Sequence, residues 1–253
     1  MIRWLRETRG LLRSLWMYYG IPGQSAKLRD FYAGLIPEPK LIFDIGAHVG
    51  NRSRAFAQLG AHVIAVEPQP AFARFLRRLF PDTEQVTILE TAVGAEKGTA
   101  DMKLSGNAPT VSSLADSWMR DVQRDDEGFS WVRWDETIQV PVTTLDALIE
   151  SYGPPDFVKI DVEGFELAVL EGLSKPLPSL SFEFIRSALN HTWPCIKRLD
   201  LLGRYEYNLT IIEDTDFVLT NWVSSGALIA ALQALPDDAT SGDIYARLKR
   251  EPA

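Results

Sequence analysis

Short, mostly apolar runs alternate with amphipathic helical patterns along much of this 253-residue chain, beginning at residue 40. These runs are KLIFDI (40–45), AHVIAVE (61–67), QVTILE (85–90), DFVKID (156–161) and LPSLSFEF (177–184). Strands that lack a polar face and are separated by helices are typical of a parallel sheet covered by helices on both sides. The alternation therefore predicts an α/β fold with a doubly wound, mainly parallel sheet.

The segments outside this alternation suggest how the chain is organised. Residues 1–37 are predicted to form an N-terminal helical extension that ends at two prolines, and residues 38–253 the main domain. Within the domain, the polar and acidic stretch 115–136 is less regular. We expect it to be an insertion or a lid that faces the substrate.

Four later segments are predicted to complete the sheet and the tail. TIQVPVTTL (137–145) contains a proline, which is typical of an edge strand. YEYNLTII (205–212) and DFVLTNW (216–222) predict an antiparallel pair that closes the sheet. The tail, residues 224–250, is expected to be helical.

Composition excludes several classes of protein. With 46% apolar and 24% charged residues, the chain resembles a soluble globular protein, and we expect it in the cytoplasm. A net charge of −8 disfavours nucleic acid as a partner, because phosphate neutralisation requires clustered Lys and Arg. The single cysteine excludes an intrachain disulfide framework and a cysteine-rich zinc site.

The first 20 residues are basic, with four arginines against one glutamate, a net charge of +3. Charges interrupt the apolar residues too often for a signal peptide. A basic helix with aromatic residues is suited to peripheral contact with an anionic membrane surface. The alternative is a helix that packs on the domain or on a partner chain, including a second copy in a homodimer.

Ligands of doubly wound sheets bind outside the carboxyl ends of the strands, so the residues there are the candidates for function. Asp44 closes the first strand and is followed by the loop Gly46-Ala47-His48-Val49-Gly50. Glu67 closes the second strand, 21 residues after Gly46. An acid in that place suits the two hydroxyls of a ribose, which predicts an adenosine ligand.

The loop discriminates between two adenosine ligands. A dinucleotide site requires G-x-G-x-x-G for close approach to a pyrophosphate, but position 48 is His and Asp44 would repel a phosphate. S-adenosylmethionine has no phosphate and carries an ammonium and a sulfonium, which a carboxylate favours. The residues thus favour S-adenosylmethionine over NAD.

Six motifs, in order, strengthen this interpretation: FDIGAHVGNRS, VEP, ETAVG (90–94), VSSL (111–114), VPVTTLDAL (140–148) and VKIDVEGFELAVLEG (158–172). Together they resemble the FkbM family of S-adenosylmethionine-dependent methyltransferases over about residues 40–185, with a family-like ending at GDIYAR (242–247). The resemblance implies a class I, Rossmann-like methyltransferase fold with a seven-stranded sheet. It also implies O-methylation of a sugar, a glycan or glycolipid, or a natural-product hydroxyl.

The resemblance assigns cofactor contacts residue by residue. It places Asp44, Gly46, Gly50 and Asn51 at the methionine end and Asp161 near the sulfonium. Glu67 would bind the ribose, while Ala92 and Val93 flank the adenine. The full set expected to contact the cofactor is Asp44, Gly46, Ala47, His48, Gly50, Asn51, Glu67, Pro68, Ala92, Val93 and Asp161.

Methyl transfer to an alcohol requires alignment of the acceptor and removal of its proton. Asp161 is the first candidate base, and Glu163 lies on the same side of an extended chain. Glu183 ends the next strand, and His191 is a further candidate base. Asp161 with Glu183, and with Asn190 or His191 as further ligands, would also suit Mg²⁺ or Mn²⁺, so a metal-assisted mechanism stays open.

Alternatives from other classes are an NAD-dependent oxidoreductase and a non-catalytic protein of the same fold that binds an adenosine ligand. Trp118, Trp131 and Trp134 in the 115–136 segment are suited to stacking on a sugar ring, or to packing of a lid or a dimer contact.

Overall fold

The computed structural model describes residues 11, 13–16, 18–20, 23–212 and 214–249. Its helices are α1 (Gln24–Leu35), α2 (Asn51–Gln58), α3 (Pro70–Leu79), α4 (Asp116–Asp125), α5 (Leu145–Tyr152), α6 (Glu166–Glu171), α7 (Leu189–Leu202) and α8 (Ser225–Gln233). Its strands are β1 (Leu41–Ile45), β2 (His62–Val66), β3 (Val86–Leu89), β4 (Ala92–Val93), β5 (Gly98–Ser105), β6 (Trp134–Thr143), β7 (Phe157–Ile160), β8 (Ser179–Ile185), β9 (Tyr205–Ile211) and β10 (Ser241–Leu248).

The main sheet has seven strands in the order β3-β2-β1-β7-β8-β10-β9. The first five are parallel, and β10 runs antiparallel to both of its neighbours. The predicted fold class is therefore confirmed. The carboxyl ends of β1, β2, β7 and β8 meet along one edge of the sheet, which we call the rim.

The antiparallel pair at the end of the chain is present, but one of its strands was predicted in the wrong place. The pair consists of β9 and β10, and residues 216–222 form no strand. Phe217 turns instead to Phe31 and Tyr245, with ring centroids 5.3 Å from each. The prediction of a helical tail holds for α8 but is wrong for residues 241–248, which form β10 inside the sheet.

A second, three-stranded sheet has the order β4-β6-β5 and lies in the region that the alternation left unassigned. The prediction that 137–145 is an edge strand is wrong, because β6 is the middle strand. β4 pairs only with Val142 and Thr143. Pro141 therefore has no ladder partner on that side, where its missing N–H is tolerated.

Two segments that do not belong to the alternation contribute buried side chains. Tyr32 of α1 is fully buried, and its ring lies 4.5 Å from that of Phe56. In the 115–136 segment, Trp118 and Val122 belong to a buried cluster with Ile185. The domain boundary at residue 37 and the insertion at 115–136 stay predictions.

Residues 1–10, which carry most of the basic charge of the predicted N-terminal helix, lie outside the described part of the chain. In the segment that follows, residues 11, 13–16, 18 and 19 are helical. No helix in the described ranges combines the length and apolar character that crossing a bilayer requires. Membrane contact and a homodimer remain predictions.

Candidate functional site

A cleft opens at the rim, above the ends of β1, β2 and β7. It has a volume of about 840 Å³ including its mouth. All the residues predicted for cofactor contact line it, except Gly50, which begins α2 behind the loop. Residues that the sequence did not single out also contribute: Tyr18, Arg52, Gln69, Met102, Thr110, Ser112, Leu114 and Phe165.

Two glycines shape the loop between β1 and α2 for different reasons. Gly46 has a φ of +86°, and a Cβ there would lie 1.8 Å from the carbonyl oxygen of Asp161. Gly50, with a φ of +75°, immediately precedes α2, and its Cβ would lie 2.7 Å from Leu76 of α3. The close approach of β1 to β7 therefore depends on Gly46. The packing of α2 against α3 depends on Gly50.

Asp44 lies beneath this loop and is almost fully buried. Its Oδ2 accepts a 2.5 Å hydrogen bond from Ser53 Oγ, one turn into α2. Burial raises the pKa of Asp44, and the hydrogen bond from Ser53 opposes that shift. The carboxyl group is thus fixed at the cleft wall by α2 and cannot turn into solvent.

Glu67 is held at the end of β2 by the backbone. Its Oε2 accepts from His48 N–H at 2.9 Å, and its Oε1 accepts from Gln69 N–H at 2.8 Å. Burial raises the pKa of Glu67 to about 7. Each oxygen keeps a second lone pair, so the carboxylate can still accept from a ligand hydroxyl.

The His48 side chain contacts both α3 and the N-terminal segment. Its ring lies 4.4 Å from that of Phe72 and 5.9 Å from that of Tyr18, while Nε2 is 3.2 Å from Ser14 Oγ. Tyr19 Oη donates to the Val49 carbonyl at 3.1 Å. Burial lowers the pKa of His48 to about 4, so the ring is neutral at pH 7. His48 thus joins the N-terminal segment to the cofactor loop.

One wall of the cleft is apolar. Ala92 and Val93 of β4 lie there, and Met102 and Leu114 join them. Ala92 and Met102 belong to one buried cluster against which Leu114 packs. Leu114 ends the VSSL motif, which contributes to the family resemblance. The motif alone does not indicate that Leu114 lines the cleft. An apolar wall of this kind suits a flat purine ring.

Three carboxylates meet at the ends of β7 and β8. Asp161, Glu163 and Glu183 each offer an oxygen, and these atoms lie within 4.8 Å of one another. Burial raises the pKa of Glu163 and of Glu183, and the neighbouring carboxylates add to both shifts. The structure therefore brings together three of the four predicted catalytic residues.

A buried ion network supports the end of β7. Lys159 Nζ lies 3.2 Å from Asp161 Oδ2 and 2.9 Å from Asp243 Oδ1. Arg52 Nη2 lies 3.2 Å from the other oxygen of Asp243. Burial by itself lowers the pKa of Lys159, but Asp161 and Asp243 outweigh it and hold the pKa above its ordinary value.

The described lining of the cleft does not include His191, the fourth predicted catalytic residue. Its Nε2 lies 2.8 Å from Asp121 Oδ2, which also accepts from Asn190 Nδ2 at 3.0 Å. His191 lines a smaller cavity together with Glu183. Glu166, which the sequence analysis missed, lies there too and accepts from Gly164 N–H at 3.2 Å.

The three tryptophans of the 115–136 segment lie in different surroundings. Trp118 is 2% exposed and packs in a core cluster. Trp134 donates from Nε1 to the Val111 carbonyl at 2.8 Å. Trp131 is 45% exposed, and the guanidinium of Arg13 lies 5.2 Å from its ring centroid. Of the three, Trp131 has the surface that stacking on a sugar requires.

Comparison with known proteins places this cleft in a family. The methyltransferase FkbM domain model matches residues 44–222. The hexuronic acid methyltransferase AglP of Haloferax volcanii is 25% identical over 151 residues, which are 58% of this chain and 56% of that protein. The chain thus spans little more than half the length of this relative.

Solved structures of low identity are also similar. An O-methyltransferase from Bacillus cereus in complex with SAH is 13% identical with a TM-score of 0.44, covering 95% of this chain and 91% of that one. A TehB-like SAM-dependent methyltransferase from Corynebacterium glutamicum is 11% identical with a TM-score of 0.46, covering 94% of each chain.

The range matched by the family model runs from Asp44, at the start of the cleft, past Asp161 and Glu183. It contains every cleft residue described above except Tyr18. A match over well over half of the chain establishes the relationship: the protein belongs to the FkbM methyltransferase family.

Proposed function

We propose that the protein is an S-adenosylmethionine-dependent O-methyltransferase that acts on a hydroxyl of a sugar, a glycan or glycolipid, or a natural product. One observation carries the proposal: Asp161 and Glu163 line the same cleft as the cofactor loop. This shared lining supports a carboxylate as the base beside the position expected for the methyl donor. The relative that modifies hexuronic acid supports a sugar as the acceptor.

The charge of the cleft supports S-adenosylmethionine over NAD. Among the described lining residues, Asp44, Glu67, Asp161 and Glu163 are acids, whereas Arg52 is the one cation of permanent charge. A pyrophosphate would face these carboxyl groups, whereas an ammonium and a sulfonium are attracted to them. His48 also fills the place where a dinucleotide loop has its middle glycine.

The chain contributes alignment and proton removal to the reaction. The loop from Gly46 to Gly50 and the carboxyl groups of Asp44 and Glu67 hold the donor, while the apolar wall holds its purine. An acceptor hydroxyl beside Asp161 then lies in line with the methyl group and the sulfur. Asp161 accepts the hydroxyl proton as the oxygen attacks.

The three carboxylates at the ends of β7 and β8 also fit a hard divalent cation. Asp161, Glu163 and Glu183 form an all-oxygen set, which Mg²⁺ and Mn²⁺ prefer. We propose such an ion as an alternative aid to the reaction, since a bound cation would polarise the acceptor hydroxyl. In that case Asp161 and its two neighbours hold the ion and orient the acceptor.

Calorimetric titration of the purified protein with S-adenosylmethionine, S-adenosylhomocysteine and NAD tests the proposal. We expect the two sulfur compounds to bind and NAD to give no heat of binding. Preference for NAD, or failure of all three to bind, would overturn the assignment. A non-catalytic binding protein is distinguished by following tritium from the donor methyl group into glycoside acceptors. Asp161→Asn should abolish that transfer, whereas S-adenosylhomocysteine should still bind, because Asp161 is only one of its expected contacts.

A further inference from the structure

A second groove lies beside the cofactor cleft, between α1 and the loop that follows β9. Residues 214–216 form one wall and α1 forms the other. Phe31 of α1 and Phe217 connect the two walls, with ring centroids 5.3 Å apart. The groove is therefore a built feature of the fold, because an aromatic contact fixes its width.

The groove is continuous with the cofactor cleft. Tyr18 and Asn51 line both. β9 runs in the direction of β8, because β10 is antiparallel to each of them, so the loop 214–216 lies on the same rim as Asp161. Ligands of such sheets bind along this rim. A chain-like molecule in the groove can therefore extend past Tyr18 and Asn51 into the cleft.

The surface of the groove has the chemistry that a hydroxyl-rich molecule requires. Ser25 and Thr215 supply hydroxyls, and Asp214 and Asp216 supply exposed carboxylates as acceptors. Leu28 contributes apolar surface for the C–H face of a sugar ring. Sugars present both kinds of surface, so a mixed lining suits them better than it suits a purely apolar molecule.

The negative charge of the groove favours uncharged sugars over acidic ones. Among its described lining residues the acids are Asp30, Asp214 and Asp216, and the one cation is Lys27. Arg29 Nη2 donates a hydrogen bond to Asp30 Oδ1 at 2.7 Å and so balances the charge of Asp30. Asp214 and Asp216 are therefore the main negative charges of the groove. A uronic acid in the groove would be repelled by them.

We propose that this groove binds the part of the acceptor that is not methylated, and that the acceptor is an uncharged, polyhydroxylated glycan. The inference rests on the proposed methyltransferase function and goes beyond it in naming the subsite and the charge of its ligand. It separates this protein from the relative named for hexuronic acid.

Saturation-transfer NMR tests the proposal on the full chain in the presence of saturating S-adenosylhomocysteine. The probes are maltotriose, which is neutral, and trigalacturonic acid, which is its anionic counterpart. We expect maltotriose to bind and trigalacturonic acid not to bind. In Asp214→Asn/Asp216→Asn the affinity for maltotriose should fall about 2- to 10-fold, the loss expected for one or two hydrogen bonds. Trigalacturonic acid should gain binding in the same variant.

A matched control is Glu96→Gln/Glu150→Gln, which removes the same charge from two exposed positions outside the groove. It should leave both probes unchanged, and all three proteins should melt at the same temperature. Stronger binding of trigalacturonic acid than of maltotriose, or no binding of either while S-adenosylhomocysteine binds, would overturn the groove assignment. Failure of S-adenosylhomocysteine itself to bind would overturn the proposed function.

Discussion

Lys159 Nζ lies 3.2 Å from Asp161 Oδ2, and the lysine side chain has no exposed surface. The same ammonium lies 2.9 Å from Asp243 Oδ1 of β10. One buried cation thereby connects the proposed base at the end of β7 with a strand that enters the sheet more than 80 residues later. The position of the base thus depends on the correct insertion of β10.

Replacing Lys159 with Met should destabilise the protein by about 3–5 kcal/mol, because it leaves buried Asp243 with one fewer cation. Urea unfolding measures this loss. The double variant Lys159→Met/Asp243→Asn should lose about 1–3 kcal/mol less stability than the two single variants lose together. Removing both partners avoids the unpaired charge that each single change leaves. Additive effects would show that the two groups do not interact.

The sheet and the rim could be predicted because their signals are local. A run such as LIFDI shows its burial in its own composition, and residues that end parallel strands must share an edge. Asp44, Glu67, Asp161 and Glu183 were found by this rule alone. The same rule reached Ala92, and the family resemblance then added Val93 and the expected role of both residues beside the adenine.

The features that were missed depend on contacts between distant residues. In the sequence, the charge of Asp243 argues against a buried strand at β10. In the structure this charge is paired with Lys159, so the strand can be buried. Tyr18 and Ser14 approach His48 only because the N-terminal segment folds back over the loop. No residue spacing in the sequence predicts contacts between such distant residues. The contacts that His48 makes with the N-terminal segment could therefore be found only in the structure.

Gly46→Ala should cost more stability than Gly60→Ala, although both glycines have a φ of +86°. At Gly60 a Cβ meets nothing within 4 Å, so only backbone strain of about 1 kcal/mol is expected. At Gly46 it would meet the Asp161 carbonyl, which should add about 1–3 kcal/mol. Unfolding in urea and calorimetry with S-adenosylhomocysteine check this. Equal effects of the two changes on stability and binding would contradict it.

Glu67 should make stability depend on pH. Its pKa rises from 4.5 to about 7 on folding, so the folded state holds a proton that the unfolded state has lost. Relative to Glu67→Gln, the wild-type protein should lose about 3 kcal/mol as the pH rises from 4.5 to 7, and no more above it. Urea unfolding of both proteins without ligand measures the difference. A constant difference across this range would show that Glu67 is ionised throughout.

Chelation should distinguish the two proposed ways of activating the acceptor. If Asp161, Glu163 and Glu183 hold a divalent cation, EDTA should abolish methyl transfer, and added Mg²⁺ or Mn²⁺ should restore it. Glu183→Gln should then weaken the response to the metal about tenfold or more without changing the affinity for S-adenosylhomocysteine. Glu171→Gln, an exposed carboxylate at the end of α6, is the control and should behave as wild type. Full activity in EDTA would exclude the metal and leave proton removal to the carboxylates that line the cleft, Asp161 first and Glu163 second.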